Sequence, residues 1–184
     1  MQQWAGTRAS LEDQVIKASD QTPELLVKNL GVLRGYQEQF RKVFGTELSP
    51  EGVAKAIAAY ERTILSGNAP YDRFRAGDTN ALSPAARCGL ALFEGKARCK
   101  SCHVGFNFTD EGYHNLGVGM DREKPDLGRH AVTKVEGNLA NPWLSGDIKP
   151  LNLTAPEQAD LVAFLESLTG QVAPEVTSPP TLPD

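Results

Sequence analysis

Several hallmarks of specialised protein classes are scarce or absent in this sequence. It has 3 cysteines among 184 residues, too few for a disulfide framework. Its 19 basic and 23 acidic residues give a net charge of −4 without a basic patch, which argues against nucleic-acid binding. No apolar run approaches the roughly 18 residues that a membrane-spanning helix needs, and Met1-Gln2-Gln3-Trp4 does not read as a signal peptide. The remaining composition, 40% hydrophobic and 23% charged, is that of a globular domain.

Helix start signals recur along the chain, whereas no segment shows the alternation of a β-strand. Three starts pair a capping residue with a proline, which favours a first helical turn: Thr22-Pro23, Ser49-Pro50 and Ser83-Pro84. Thr154 and Glu157 form a capping box before another helix, which Gly170 is expected to end. We therefore predict an all-α fold, with shorter helices at about 11–18 and 36–45.

The helix that starts at Ser49-Pro50 is expected to bury one apolar stripe. Its apolar residues recur at spacings of four, three and four: Val53, Ile57, Tyr60 and Ile64. Gly67 is the predicted end of this helix. The helix that starts at Ser83-Pro84 is expected to end at Gly95, just before a pair of cysteines.

The segment Cys99-Lys100-Ser101-Cys102-His103 matches the C-x-x-C-H pattern of covalent haem attachment. The two thiols add across the vinyl groups of the porphyrin, and the adjacent histidine is held beneath the iron as an axial ligand. We therefore predict one c-type haem, attached through Cys99 and Cys102 with His103 on the iron. Residues 104–153 are rich in Gly, Asn, Asp and Pro, as expected for loops that wrap a haem.

Two other readings of the paired cysteines lack their context. A zinc site needs two further ligands, but only Cys88, His114 and His130 remain, without paired spacing. A thioredoxin-like redox motif needs a βαβ unit, which the sequence does not predict. Cys88 itself is expected to be a small buried thiol. Because c-type haem is attached outside the cytoplasm, we expect a periplasmic protein whose export signal lies outside this chain.

Beyond this motif, the sequence resembles the bacterial di-haem cytochrome c peroxidase family, which includes the MauG proteins. The similar strings keep the family's order along nearly the whole chain: 56–64, 71–74, 89–93, 114–117, 126–129, 132–134 and 161–165. The resemblance implies a cytochrome c-like haem domain at 49–173. It also implies a helical segment at 1–48, resembling the region between the two haems. The Pro-rich tail at 174–184 contains four prolines and is expected to be extended or mobile.

The same resemblance implies the electron-transfer half of an oxidoreductase that reduces hydrogen peroxide. Electrons would come from a donor cytochrome c or a cupredoxin, and a homodimer is compatible with the family. Family members also carry an earlier domain with its own haem and, after the position of Lys134, a segment of roughly fifty residues that is too long for an ordinary loop difference. Neither is found here. That segment supplies part of a calcium site, so calcium is assigned to no residue.

Three further residues are candidates because of this resemblance. Trp4 is the nearest match to a tryptophan that relays electrons between the haems, although it reads equally well as a core aromatic. Glu24 matches a catalytic glutamate by distance along the chain, or is an acidic residue in the first turn of a helix. Met120, in a glycine-containing loop after the motif, is a candidate sixth iron ligand, with an apolar residue covering the haem as the alternative. The other candidates for the sixth position are His114, His130, water or no ligand.

The single haem motif keeps a second function open. Taken at face value, it indicates a mono-haem electron-transfer cytochrome c without peroxide turnover. A third option is an iron with an open sixth position that binds small ligands or has a weak peroxidase activity of its own.

Overall fold

A computed structural model describes residues 6–18, 22–119, 122–124, 128, 148–178 and 181. In this part of the chain the helices are α1 (Leu11–Ala18), α2 (Pro23–Gly31), α3 (Arg34–Phe44), α4 (Pro50–Glu61), α5 (Pro70–Arg75), α6 (Pro84–Glu94), α7 (Ala155–Glu166) and α8 (Pro174–Thr177). A 3₁₀ turn covers Cys99–Ser101, and two short strands, β1 (Ser66–Gly67) and β2 (Gln171–Val172), pair with each other. The predicted all-α fold is confirmed. None of the described helices is long and apolar enough to cross a membrane.

The described residues divide into two compact units, with the boundary between Leu65 and Ser66. The first unit holds α1 to α4 together with α8, and the second holds α5, α6, the 3₁₀ turn and α7. The predicted domains 1–48, 49–173 and 174–184 stay a prediction, since their boundaries follow haem binding rather than compactness.

Small residues on α4 form the core of the first unit. Val53, Ala54 and Ala58 are buried, and a side chain at Gly52 would meet the ring of Phe40 at 2.9 Å. Such residues let a neighbouring helix approach α4 closely.

The predicted stripe on α4 is therefore wrong beyond its first residue, because the buried face follows these small residues. Ile57, Tyr60 and Ile64 are exposed, and the helix ends at Glu61 rather than at Gly67. The hydroxyl of Tyr60 donates to the carbonyl oxygen of Val176 at 2.7 Å.

The second unit is built on the crossing of α6 and α7. A side chain at Gly89 would meet the carbonyl oxygen of Asp160 at 2.0 Å, so only glycine fits at the point of contact. Beside it, Phe93 and Phe164 are buried with their ring centroids 5.1 Å apart. The caps of both helices form as predicted: Ser83 accepts from the backbone N–H of Ala86, and Thr154 and Glu157 make the capping box.

Two local predictions are wrong. Cys88 is exposed rather than buried, because α6 turns Ala86, Gly89 and Phe93 towards the core and leaves Cys88 on another face. In the tail, Pro174–Thr177 form a short helix instead of an extended segment. Proline suits this position because the first residue of a helix has no need of its N–H group.

Candidate haem site

The loop after α6 brings both cysteines of the motif and the histidine into one tight turn. Arg98 adopts a left-handed conformation with φ 56°, which redirects the chain into the 3₁₀ turn. The backbone N–H groups of Cys102 and His103 then both donate to the carbonyl oxygen of Cys99, at 3.3 and 2.9 Å. The five-residue motif is thereby held in one compact turn a few residues after the end of α6.

The imidazole of His103 is oriented by the backbone. Its Nδ1 lies 2.9 Å from the carbonyl oxygen of Phe108. A carbonyl accepts only, so Nδ1 carries the proton and Nε2 holds the lone pair. A metal-binding histidine is usually fixed in this way, with one nitrogen bonded to a carbonyl and the other aimed at the metal.

The two cysteine thiols have different partners. The Sγ of Cys99 donates to the carbonyl oxygen of Ala97 at 3.6 Å, and partial burial raises the pKa of this thiol. The Sγ of Cys102 instead lies 3.8 Å from Nδ1 of His114. Nε2 of that histidine lies 2.8 Å from Oδ2 of Asp110. The N–H of Gly112 and the side chain of His114 hold the pKa of Asp110 below its usual range, so its carboxylate is ionised at neutral pH.

Four aromatic rings pack behind the motif. The rings of Tyr71, Phe93, Phe108 and Phe164 lie within 5.1 to 6.4 Å of their neighbours, and His103 stands 6.2 Å from Phe93. Because Phe108 supplies both a ring to this cluster and the carbonyl that orients His103, the cluster fixes the direction of the imidazole.

Exposed apolar side chains follow the motif along the chain. Phe106 is 92% exposed and Val118 is 74% exposed, although both follow the motif closely. A groove of about 470 Å³ runs along α7 and the segment before it, lined by Leu151, Asn152, Leu153, Gln158, Leu161, Val162 and Leu165. Two thiols, one oriented imidazole and these apolar surfaces in the same unit fit a covalently attached haem.

Of the other predicted site residues, one lies in the described part of the chain. Glu24 is exposed in the first turn of α2, where Thr22 caps the helix by accepting from the N–H of Leu25. Trp4 and Met120 lie outside the described residues. Sequence reasoning missed Asp110 as the partner of His114. Their spacing of four residues was the available signal, but it has no fixed meaning in an irregular loop.

Comparison with known proteins adds an independent line of evidence. Residues 1–80 match the family described as "Di-haem cytochrome c peroxidase". The methylamine utilization protein MauG of Methylorubrum extorquens is 32% identical over 226 aligned positions, covering 98% of this chain and 64% of that protein. The cytochrome c551 peroxidase of Pseudomonas aeruginosa is 32% identical over 175 positions, covering 84% of this chain and 49% of that protein. The match over residues 1–80 and these two relatives support the assignment of the chain to the di-haem cytochrome c peroxidase and MauG family.

Membership of the cytochrome c peroxidase and MauG family implies c-type haem. The fold agrees: a crystal structure of a MauG-like protein associated with microbial copper homeostasis aligns with a TM-score of 0.73 at 22% identity, covering 91% of this chain and 73% of that chain. The chain spans 64% and 63% of the length of two MauG relatives. The alignment with the first of them is longer than this chain, so it contains positions that the chain lacks.

Proposed function

We propose that this chain carries one haem c on Cys99, Cys102 and His103 and forms the electron-transfer half of a peroxidase that reduces hydrogen peroxide. One observation carries the proposal: Nδ1 of His103 is bonded to the carbonyl of Phe108 at 2.9 Å, which leaves Nε2 with the lone pair that an iron ligand needs. The names of the relatives, MauG and cytochrome c peroxidase, support the reaction class.

Three residues of the motif have different roles in binding the haem. Cys99 and Cys102 would anchor the haem covalently, and His103 would supply a nitrogen ligand to its iron. The ring of Phe93 lies 6.2 Å from the imidazole of His103, and Phe108 supplies the carbonyl that orients this imidazole. Once bound, a haem with a histidine ligand supplies one-electron redox chemistry.

Haem attachment is tested with the three cysteines. Cys99→Ser and Cys102→Ser are each expected to lose one thioether bond, and the double variant is expected to lose all haem that survives denaturing extraction. Cys88→Ser is the matched control, since Cys88 is exposed on α6 and should keep full attachment. Mass spectrometry of the intact chain measures the outcome. Undiminished covalent haem in the double variant would contradict the proposal.

The peroxidase role involves Glu24 and Trp4 by family resemblance, with Glu24 moving protons and Trp4 passing electrons. Glu24→Gln is expected to lower peroxide turnover by about 10² while leaving the absorption spectrum unchanged. Glu51→Gln is the control, because Glu51 occupies the same first-turn position in α4, also behind a capping residue and a proline. Turnover is measured with a reduced donor cytochrome c or cupredoxin on the chain joined to the family's first haem domain, because this chain carries the haem motif of the electron-transfer half alone.

The same assay distinguishes the peroxidase role from the second candidate function, electron transfer without peroxide turnover. Reversible reduction by the donor without peroxide consumption above free haem would favour a mono-haem electron carrier. We further propose Met120 as the sixth iron ligand, a periplasmic location and a homodimer. A weak far-red charge-transfer band in the ferric spectrum that disappears in Met120→Ala would support the methionine ligand.

A further inference from the structure

Cys102, His114 and Asp110 form a hydrogen-bonded row. The proposed function uses Cys102 but gives no role to His114 or Asp110. Sγ of Cys102 lies 3.8 Å from Nδ1 of His114, and Nε2 of His114 lies 2.8 Å from Oδ2 of Asp110. Asp110 is itself fixed, because its Oδ1 accepts from the N–H of Gly112 at 2.8 Å. The row therefore starts from an anchored carboxylate and ends on one thiol of the haem motif.

The direction of each hydrogen bond follows from the chemistry of the groups. The ionised carboxylate of Asp110 accepts only, so Nε2 of His114 must carry the proton. In a neutral imidazole the other nitrogen, Nδ1, then holds the lone pair and accepts from the thiol of Cys102. Carboxylate, imidazole and sulfur stand in the order that orients an attacking cysteine in nucleophilic catalysis.

The other thiol of the motif has no such partner in the described structure. Cys99 donates to the backbone carbonyl of Ala97 at 3.6 Å and is held by the turn that it begins. A carbonyl holds the thiol without aligning it with a second side chain. The two thiols of one motif therefore have different kinds of hydrogen-bond partner, a backbone carbonyl for Cys99 and an imidazole for Cys102.

We propose that His114, held by Asp110, positions Cys102 for thioether formation, so that Cys102 is joined to the haem before Cys99. This inference rests on the proposed function, since it requires haem at this motif. In the step the S–H bond of Cys102 breaks and a C–S bond forms to one vinyl carbon, while the thiol proton ends on the other vinyl carbon. Addition across the double bond needs no oxidant or reductant. His114 and Asp110 act through Cys102 and are positioning residues.

The first test follows attachment over time in the full wild-type chain. The reduced apo-protein is mixed with ferrous haem, samples are quenched, and peptide mapping by mass spectrometry scores the thioether at each cysteine. Cys102 is expected to be joined first, with chains linked through Cys102 alone as the early product. Early chains linked through Cys99 alone would overturn the inference, and this outcome does not depend on how any variant folds.

The second test uses variants of the row. His114→Ala and Asp110→Asn are expected to slow attachment at Cys102 several-fold and to leave attachment at Cys99 unchanged. His114→Asn keeps an acceptor oxygen near the place of Nδ1 and should restore part of the rate. Glu111→Gln is the control, because it removes a neighbouring exposed carboxylate that forms no side-chain hydrogen bond among the described residues.

The outcomes distinguish a failure of this inference from a failure of the proposed function. A wild-type chain that takes up no covalent haem contradicts the proposed function. A wild-type chain with two thioethers, together with equal rates at Cys102 in His114→Ala and Glu111→Gln, contradicts the positioning role alone. Circular dichroism of each apo-variant reports whether its helices are intact.

Discussion

The crossing of α6 with α7 and the loop 104–119 are two neighbouring regions of the second unit, and they are stabilised differently. At the crossing, Phe164 is fully buried and Gly89 lets the two backbones touch. In the loop, Phe106 is 92% exposed, and the described contacts are the packing of the Phe108 ring and hydrogen bonds such as those of His103 and Asp110. The helices therefore fold through their own packing, whereas the apolar residues of the loop need a further apolar surface to cover them.

The strongest test of this comparison removes an aromatic ring from each region. Phe164→Ala is expected to lower the free energy of unfolding by about 4 kcal/mol, because a fully buried ring leaves a cavity. Phe106→Ala should change the apo-protein by less than about 0.5 kcal/mol, as exposed substitutions usually do. Urea unfolding of both variants measures the difference. Similar losses in the two variants would remove the distinction between the regions.

A smaller effect is expected from adding a single methyl group at the crossing. In Gly89→Ala the new carbon would lie 2.0 Å from the carbonyl oxygen of Asp160, so α6 and α7 must separate. Overpacking of this kind costs up to about 3 kcal/mol, again measured by urea unfolding. Gly31→Ala is the matched control: this helical glycine in α2 has no atom within 4 Å of an added side chain, so its variant should be neutral or slightly more stable.

The difference between these regions also explains what could be predicted from the sequence. Helix starts are local, and Ser83, Ser49 and Thr154 each cap the helix that the sequence predicts. The haem motif is local as well. Which face of α4 is buried depends on its partners, and there Ala54 and Ala58 are buried while Ile57 is exposed. The spacing of large apolar residues could not show this, because the buried face of α4 consists mostly of small residues.

Non-local contacts were the hardest to predict. The bond from His103 to the carbonyl of Phe108 and the row through His114 depend on how an irregular loop folds back on itself. Phe108 and Glu111 adopt left-handed conformations, with φ 52° and 57°, for residue types that rarely do so. Phenylalanine and glutamate do not mark such turns in a sequence, because left-handed backbone is typical of glycine and asparagine.

The smallest expected effect concerns the polar contact that joins the two helices at the surface. Lys96, just after α6, pairs with Glu157 of α7 at 2.7 Å, and both are partly exposed. The side chain of Lys96 first, and then the N–H of Thr154, lower the pKa of Glu157 below its model-peptide value of 4.5. A carboxyl group whose pKa is lower in the folded state stabilises the fold above the unfolded pKa, and this contribution is lost as the pH falls through the folded pKa.

Glu157→Gln should therefore be slightly less stable than wild type at neutral pH, with the difference shrinking as the pH falls below about 4.5. The amide still offers an oxygen to the N–H of Thr154, so the variant removes the charge and keeps the cap. Glu166→Gln, at the last residue of α7, is the control that removes a carboxylate from the other end of the same helix. The urea unfolding midpoints of wild type and both variants are compared across the acid range. A constant difference at every pH would show that the ion pair with Lys96 adds nothing to the crossing and that α6 and α7 are joined by apolar packing alone.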